Sequence, residues 1–189
     1  MSQHPTASPT KQRGISLFEA LITIVILAFG ILGLTNLQAR MQQAEVESYA
    51  RSQALVLVDD MAARLSANRA NAATYVTASP VGTGDPPTNC AATFPVPGKD
   101  RDLCEWSEAL KGNTELAGAV AVGAMIGGRG CVEDLGAIPP SYRVTVAWQG
   151  LSPTVVPNIG CAATQYGGND AFRRVVTKVV SVASLAPGP

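Results

Sequence analysis

Residues 14–39 read GISLFEALITIVILAFGILGLTNLQA, and this stretch decides the architecture of the chain. From Ala20 to Ala39 there is no Asp, Glu, Lys or Arg, and most residues are Leu, Ile, Val, Ala, Phe or Gly. A helix needs about 20 apolar residues to cross a hydrocarbon core of roughly 30 Å, so the stretch is long enough to span a membrane. Its clearly polar residues are Thr23, Thr35, Asn36 and Gln38, most of them at the far end. Lys11 and Arg13 precede it, which leaves the N-terminus cytoplasmic and sends the rest of the chain outward. One residue does not suit a plain anchor. Glu19 places a carboxylate near the start of the apolar run, where an uncompensated charge is expensive.

Glu19 has a local use. Ser16-Leu-Phe-Glu19 is a capping box, in which Ser16 caps the helix and Glu19 reaches back as the third helical residue. An acid in the first turn also suits the helix dipole. Neither use explains Gly14 directly before the apolar run. A secretory signal carries its cleavage site after its apolar region, whereas a cut after Gly14 removes only the basic leader and keeps the helix. Gly14, the hydrophobic Ile15 and Glu19 at the fifth position beyond Gly14 together resemble the prepilin-peptidase site of type IV pilins and pseudopilins. That resemblance implies cleavage between Gly14 and Ile15 and N-methylation of the new Ile15 amine. It also implies that Glu19 pairs with the terminal amine of a neighbouring subunit and sets the axial register of assembly. An opposing carboxylate offsets the cost of burying that amine. Ile15 departs from the Phe most common in the family.

The chain has 189 residues, enough for one domain and an extended helix, with 14 basic and 14 acidic side chains. Loss of Lys11 and Arg13 with the leader leaves 12 basic against 14 acidic, a balance that indicates no nucleic-acid surface. Arg173-Arg174, the one adjacent basic pair, reads as a strand-end or solvated pair. The single histidine, His4, lies in the leader, which removes Ser-His-Asp triads, Cys-His dyads and His-rich metal sites from the exported part. Gly127-Gly128-Arg129-Gly130 lacks the lysine and hydroxyl residue of a phosphate loop and reads as a turn. No catalytic site, metal site or cofactor is expected. Cys90, Cys104, Cys131 and Cys161 all lie on the exported side, where disulfides persist, and none forms a C-x-x-C. Three pairings are possible. The favoured one, Cys90–Cys104 with Cys131–Cys161, closes successive loops, each worth about 3 kcal/mol in the chain-entropy model.

Proline spacing organises the rest. None occurs between Pro9 and Pro80, so nothing of that kind breaks a helix predicted from about Ile15 to Asn71, roughly 85 Å at 1.5 Å per residue. Its second half is amphipathic, with Ala50, Ala54, Leu57 or Val58, Met61 and Leu65 at three- and four-residue spacing. The pattern divides the chain into a leader (1–14), a membrane and assembly half-helix (15–39), an amphipathic half-helix (40–72) and a globular head (73–189). Thr77–Lys99 reads as a loop held by Cys90, and Asp102–Leu110 as a short helix with Leu103, Trp106 and Leu110 on one face. Ala119–Met125 and Gly130–Asp134 are predicted strands around the glycine-rich turn. Tyr142–Trp148 alternates, with Tyr142, Val144, Val146 and Trp148 on one face. Arg173–Ala183 completes the sheet, and Gln149–Asp170 is a long loop tied by Cys161 rather than by a core of its own.

A long N-terminal helix, a cystine-bearing loop and a C-terminal sheet together resemble the pilin fold: α+β, a membrane-spanning helix packed on a small antiparallel β-sheet with a disulfide-bearing αβ-loop. Within the superfamily the chain is similar to the type IV pilus modification family of minor pilins. The residues that carry this likeness are Gly14–Leu37, Cys104-x-Trp106, the Tyr142–Trp148 strand and Arg173–Val176. Asn36 stands where major pilins commonly have a helix-breaking proline. The resemblance implies a structural protein of the inner membrane whose head is periplasmic. Its partners would be prepilin peptidase, membrane lipid, other minor pilins and the major pilin, with the chain joining a pilus, at its tip. The alternatives are a type II secretion minor pseudopilin of the I type and, less well supported, a membrane-anchored periplasmic enzyme.

Overall fold

The structure, a computed structural model, describes residues 14, 16–112, 116–117, 120–121 and 125–183. Two compact units divide the chain, the first ending at Gln43 and the second beginning at Ala44. Helix α1, Leu17–Ala67, contributes to both.

In the first unit the described residues are helical from Leu17 onward, and every one of these side chains is exposed, Leu17 to 81% and Phe29 to 72%. The helix continues unbroken through Asn36, the position at which a proline would remove a backbone donor. Thr23 donates its hydroxyl to Ala20 O at 2.8 Å and Thr35 to Leu32 O at 3.0 Å. Both hydroxyls are therefore satisfied within the helix, as an apolar surrounding requires.

In the second unit α1 turns Ala54, Val58, Met61, Ala62 and Leu65 inward at the predicted helical spacing. The helix stops at Ala67, a little short of Asn71, and a 3₁₀ segment, Arg69–Tyr75, follows. Asn68 (φ −106°, ψ 41°) and Asn71 (φ −115°, ψ 18°) leave the helical region there. Asn68 donates to Tyr75 Oη at 3.1 Å and Asn71 to Asn68 Oδ1 at 2.9 Å, bonds that hold the segment together beyond the helix end.

The segment expected to be a plain loop after Thr77 holds the two-residue strand β1, Val81–Gly82, and the short helix α2, Cys90–Thr93. Helix α3, Lys99–Leu110, follows, then strands β2 (Leu116–Ala117), β3 (Val120–Ala121), β4 (Arg129–Asp134), β5 (Ser141–Gln149) and β6 (Arg173–Ser181). A four-stranded antiparallel sheet has the order β1-β4-β5-β6, while β2 and β3 pair as a separate ribbon. Much of the Ala119–Met125 strand predicted beside Gly130–Asp134 falls outside the described residues. Its described part, Val120–Ala121, pairs with β2, and β1 takes the place beside β4. Glycine makes this exchange possible: a Cβ on Gly82, whose φ is +118°, would lie 2.6 Å from Gly128 O. Only a bare backbone approaches that closely.

One core joins α1, α3 and the sheet through Trp106, Leu110, Met61, Leu65, Tyr142, Val144, Val146 and Trp148. Trp106 is fully buried and donates Nε1–H to Leu57 O at 2.9 Å. The even-numbered face of β5 thus packs as its alternation predicts. Its other face is partly buried as well: Ser141, Thr145 and Ala147 are buried, and Ala147 joins Cys131, Cys161, Ala162 and Tyr166 in a second cluster, while Arg143 is half-buried and Gln149 exposed. The loop between β5 and β6 therefore does have a small core, contrary to the expectation that the disulfide alone ties it down. A second difference concerns Arg173, which begins β6 as a strand-end residue but is only 2% exposed rather than solvated. Its guanidinium donates to the carbonyls of Ile159, of Cys161 at 3.1 Å and of Pro157 at 3.2 Å, so it serves loop acceptors that have no strand partner.

Candidate processing and assembly site

Gly14 is exposed, and a Cβ placed on it would meet nothing within 4 Å. Ile15, with leader residues 1–13, lies outside the described residues. Ser16 opens the helix: its carbonyl accepts from Glu19 N at 3.0 Å and from Ala20 N at 3.2 Å, and its Oγ accepts from Glu19 N at 3.2 Å. Ser16 thus makes its half of the capping box, its Oγ sharing the Glu19 N–H with its own carbonyl. Glu19 is the acid of the first turn and its side chain is exposed, next to Phe18 at 71%. The described geometry is an exposed Gly14, a carboxylate in the first helical turn, and then a helix whose most apolar 18-residue window is 0% buried. By length and composition this helix can cross a membrane. A contiguous exposed apolar surface of this kind marks contact with lipid or with other helices.

The cysteines pair as Cys90–Cys104 and Cys131–Cys161. The first bond ties α2 to α3, and the second ties the β5–β6 loop to β4. Charged residues of the head act as clamps. Arg64 on α1 bonds Asp60 at 3.0 Å, Asp102 at 3.1 Å and Glu105 at 2.7 Å, and Arg101 bonds Glu105 at 2.8 Å. Burial alone would lower the Arg64 guanidinium, but the hydrogen bonds to Glu105, Asp60 and Asp102 raise it overall. The Arg64 and Arg101 bonds hold Glu105 below the usual carboxylate range. Burial, and then the hydrogen bond to Asp102, push Tyr75 up, and burial pushes Tyr166 up. Glu47 Oε1 accepts from Leu151 N at 2.9 Å and from Arg174 at 3.3 Å, which fastens the β5–β6 loop to α1. Sequence reasoning missed Glu47 and the carbonyl cage of Arg173, since neither lies in a periodic pattern. Among the described residues, no group of three or more His, Cys, Asp or Glu side chains could hold a metal ion.

Residues 9–35 match the family model for the prokaryotic N-terminal methylation motif. The motif indicates a type IV pilin-like or pseudopilin protein, and it implies processing by prepilin peptidase and assembly with other pilins. The N-terminal apolar helix fits a membrane-anchored protein of that class. No curated protein and no solved structure matches the chain.

Proposed function

We propose that the chain is a minor pilin of a type IV pilus, of the PilV or type IV pilus modification kind. In this reading residues 1–14 are a cytoplasmic leader that prepilin peptidase removes after Gly14, and the Ile15 amine is then methylated. Residues 15–39 span the inner membrane, residues 40–72 carry the amphipathic half of the helix, and residues 73–189 form a periplasmic head. Glu19 pairs with the Ile15 amine of a neighbouring subunit as the chain leaves the membrane, and the chain joins other minor pilins in a complex that primes assembly at the pilus tip. The observation that carries the reading is the methylation motif over residues 9–35, which overlaps the start of a helix whose most apolar 18-residue window is 0% buried. The unbroken helix through Asn36 supports a minor rather than a major subunit, and the head with its two disulfides supports this kind over a type II secretion minor pseudopilin.

Glu19→Ala tests the assembly role. The expected result is a processed chain that is retained in the inner membrane, with surface piliation and recovery of other minor pilins reduced at least about tenfold, the scale of an unpaired buried charge. Unchanged piliation and unchanged recovery contradict the role of Glu19.

A further inference from the structure

Strand β6 is the last strand of the sheet and pairs with β5 alone. Its register is unbroken from Gln149↔Arg173 to Ser141↔Ser181. The same register continues past both ends, where Val182 N donates to Pro140 O at 2.8 Å and Gly150 N to Phe172 O at 2.7 Å. Bonded and unbonded pairs alternate in an antiparallel ladder, so the even-numbered residues of β6 turn their N–H and C=O groups toward β5. Val175, Thr177, Val179 and Ser181 turn theirs to the open side, and among the described residues no backbone group meets them there. Thr177, Val179 and Ser181 are exposed, Val179 to 54%.

An open edge of this kind is a template for another strand, and proteins usually guard it with proline, bulges or charge. Residues 173–181 contain no proline or glycine, and their register has no bulge. The one lysine, Lys178, already has a partner, bonding Asp59 on α1 at 2.7 Å. Four of the seven residues in 175–181 are valine, a composition suited to strand pairing.

We propose that the β6 edge over Val175–Ser181 receives an antiparallel strand from a different pilin-like subunit. The choice of occupant rests on the pilin-like reading and on the order of the sheet. Each of β1, β4, β5 and β6 is antiparallel to the next, so β1 and β6 run in opposite directions. A neighbour standing in the same orientation with this strand order presents its first edge antiparallel to β6. A second copy of this chain cannot fill the site that way, because its own first edge is the two residues Val81–Gly82, preceded by Pro80. Pairing β6 with the β6 of a second copy turns one sheet through a half-rotation about the sheet normal, whereas subunits in the pilin-like reading stand in one orientation. The edge therefore selects a partner with a longer first strand, and main-chain bonds supply the recognition.

The test co-expresses the full chain with prepilin peptidase and with the other pilin-like precursors of its own genome, and measures amide hydrogen exchange on the purified complex and on the chain alone. In the chain alone, Val175, Thr177 and Val179 are expected to exchange fast while Val176, Lys178 and Val180 are protected. In the complex the odd-numbered amides are expected to slow at least about tenfold. Thr177→Pro and Val179→Pro remove outward N–H groups that β5 does not use, so they are expected to leave the sheet intact and cut recovery of the complex at least about tenfold. Three results overturn the proposal: odd-numbered amides that stay fast in the complex, wild-type recovery with both proline variants, or a Thr177→Cys chain that cross-links to itself. Should the proline variants fail to fold, the exchange pattern of the unaltered chain decides. A chain processed at Ile15 that forms no complex defeats the edge proposal alone, whereas an unprocessed chain defeats the pilin reading beneath it.

Discussion

Gly130 shows how much a single residue controls in this head. A Cβ there would lie 2.3 Å from Trp106 Cη2 and 2.8 Å from Leu110 Cδ1, so the indole packs against bare backbone. Trp106 is fully buried and bonded to Leu57 O, which leaves the ring no room to retreat. Gly130→Ala is expected to destabilise the head by about 1–3 kcal/mol through overpacking. Denaturant unfolding followed by tryptophan fluorescence checks this, and an unchanged midpoint contradicts it. Trp106 was legible as an anchor because Leu103, Trp106 and Leu110 share a helical face. Gly130 was legible as turn material and as the start of a strand but not as a packing site, since nothing local reveals that an indole 24 positions earlier lies over it. Arg173 was hidden for a similar reason. An adjacent arginine pair ordinarily reads as solvated, and only the tertiary path of the Pro157–Cys161 carbonyls makes a buried guanidinium useful.

Elements are held to one another by two kinds of device, and each has a measurable signature. The α1–α3 clamp is ionic. Glu105 is held below its ordinary value first by Arg64 and then by Arg101. A carboxyl depressed on folding contributes stability above its unfolded value, about 4.3, and loses that contribution as pH falls through the lower folded value. The denaturation midpoint is expected to fall progressively below about pH 4.3, and Glu105→Gln is expected to flatten that decline. An acid slope unchanged in Glu105→Gln contradicts the assignment. The other device is covalent. Loop separations of 14 and 30 residues give roughly 3 and 3.5 kcal/mol for Cys90–Cys104 and Cys131–Cys161 in the chain-entropy model. Replacing Cys131 and Cys161 together with alanine is expected to cost about that larger amount and to open the β5–β6 loop to protease, with intact-mass analysis locating the cuts. Resistance equal to the unaltered chain contradicts it. Long periodic elements were readable in advance: the helix from the charge-free run and the heptad-like spacing after it, β5 from its alternation. The two-residue β1 was not, because its place beside β4 depends on glycine contacts distant in sequence and not on local pattern. Partial burial of the second β5 face was missed because alternation reports one face only, and the second is covered in part by a loop without periodicity.

For the whole molecule, the N-terminal segment and the head say different things. The methylation motif over residues 9–35 points to a pilin-like class. Ser16 Oγ accepts from Glu19 N, so Glu19 sits on a formed first turn of the helix. The head carries a cystine-pinned αβ-loop and a four-stranded sheet whose last edge is unpaired among the described residues, features that bear on partners more than on class. The exposed apolar side chains of Leu17–Leu37 fit a membrane-anchored helix of a pilin-like protein. If residues 1–14 are a leader, the helix becomes the mature N-terminus once prepilin peptidase has cut after Gly14. Intact and N-terminal peptide mass spectrometry, on the chain isolated from cells containing prepilin peptidase, is expected to find Ile15 as the first residue with a methyl group on its amine; a chain that still begins at Met1 in such cells overturns the pilin reading.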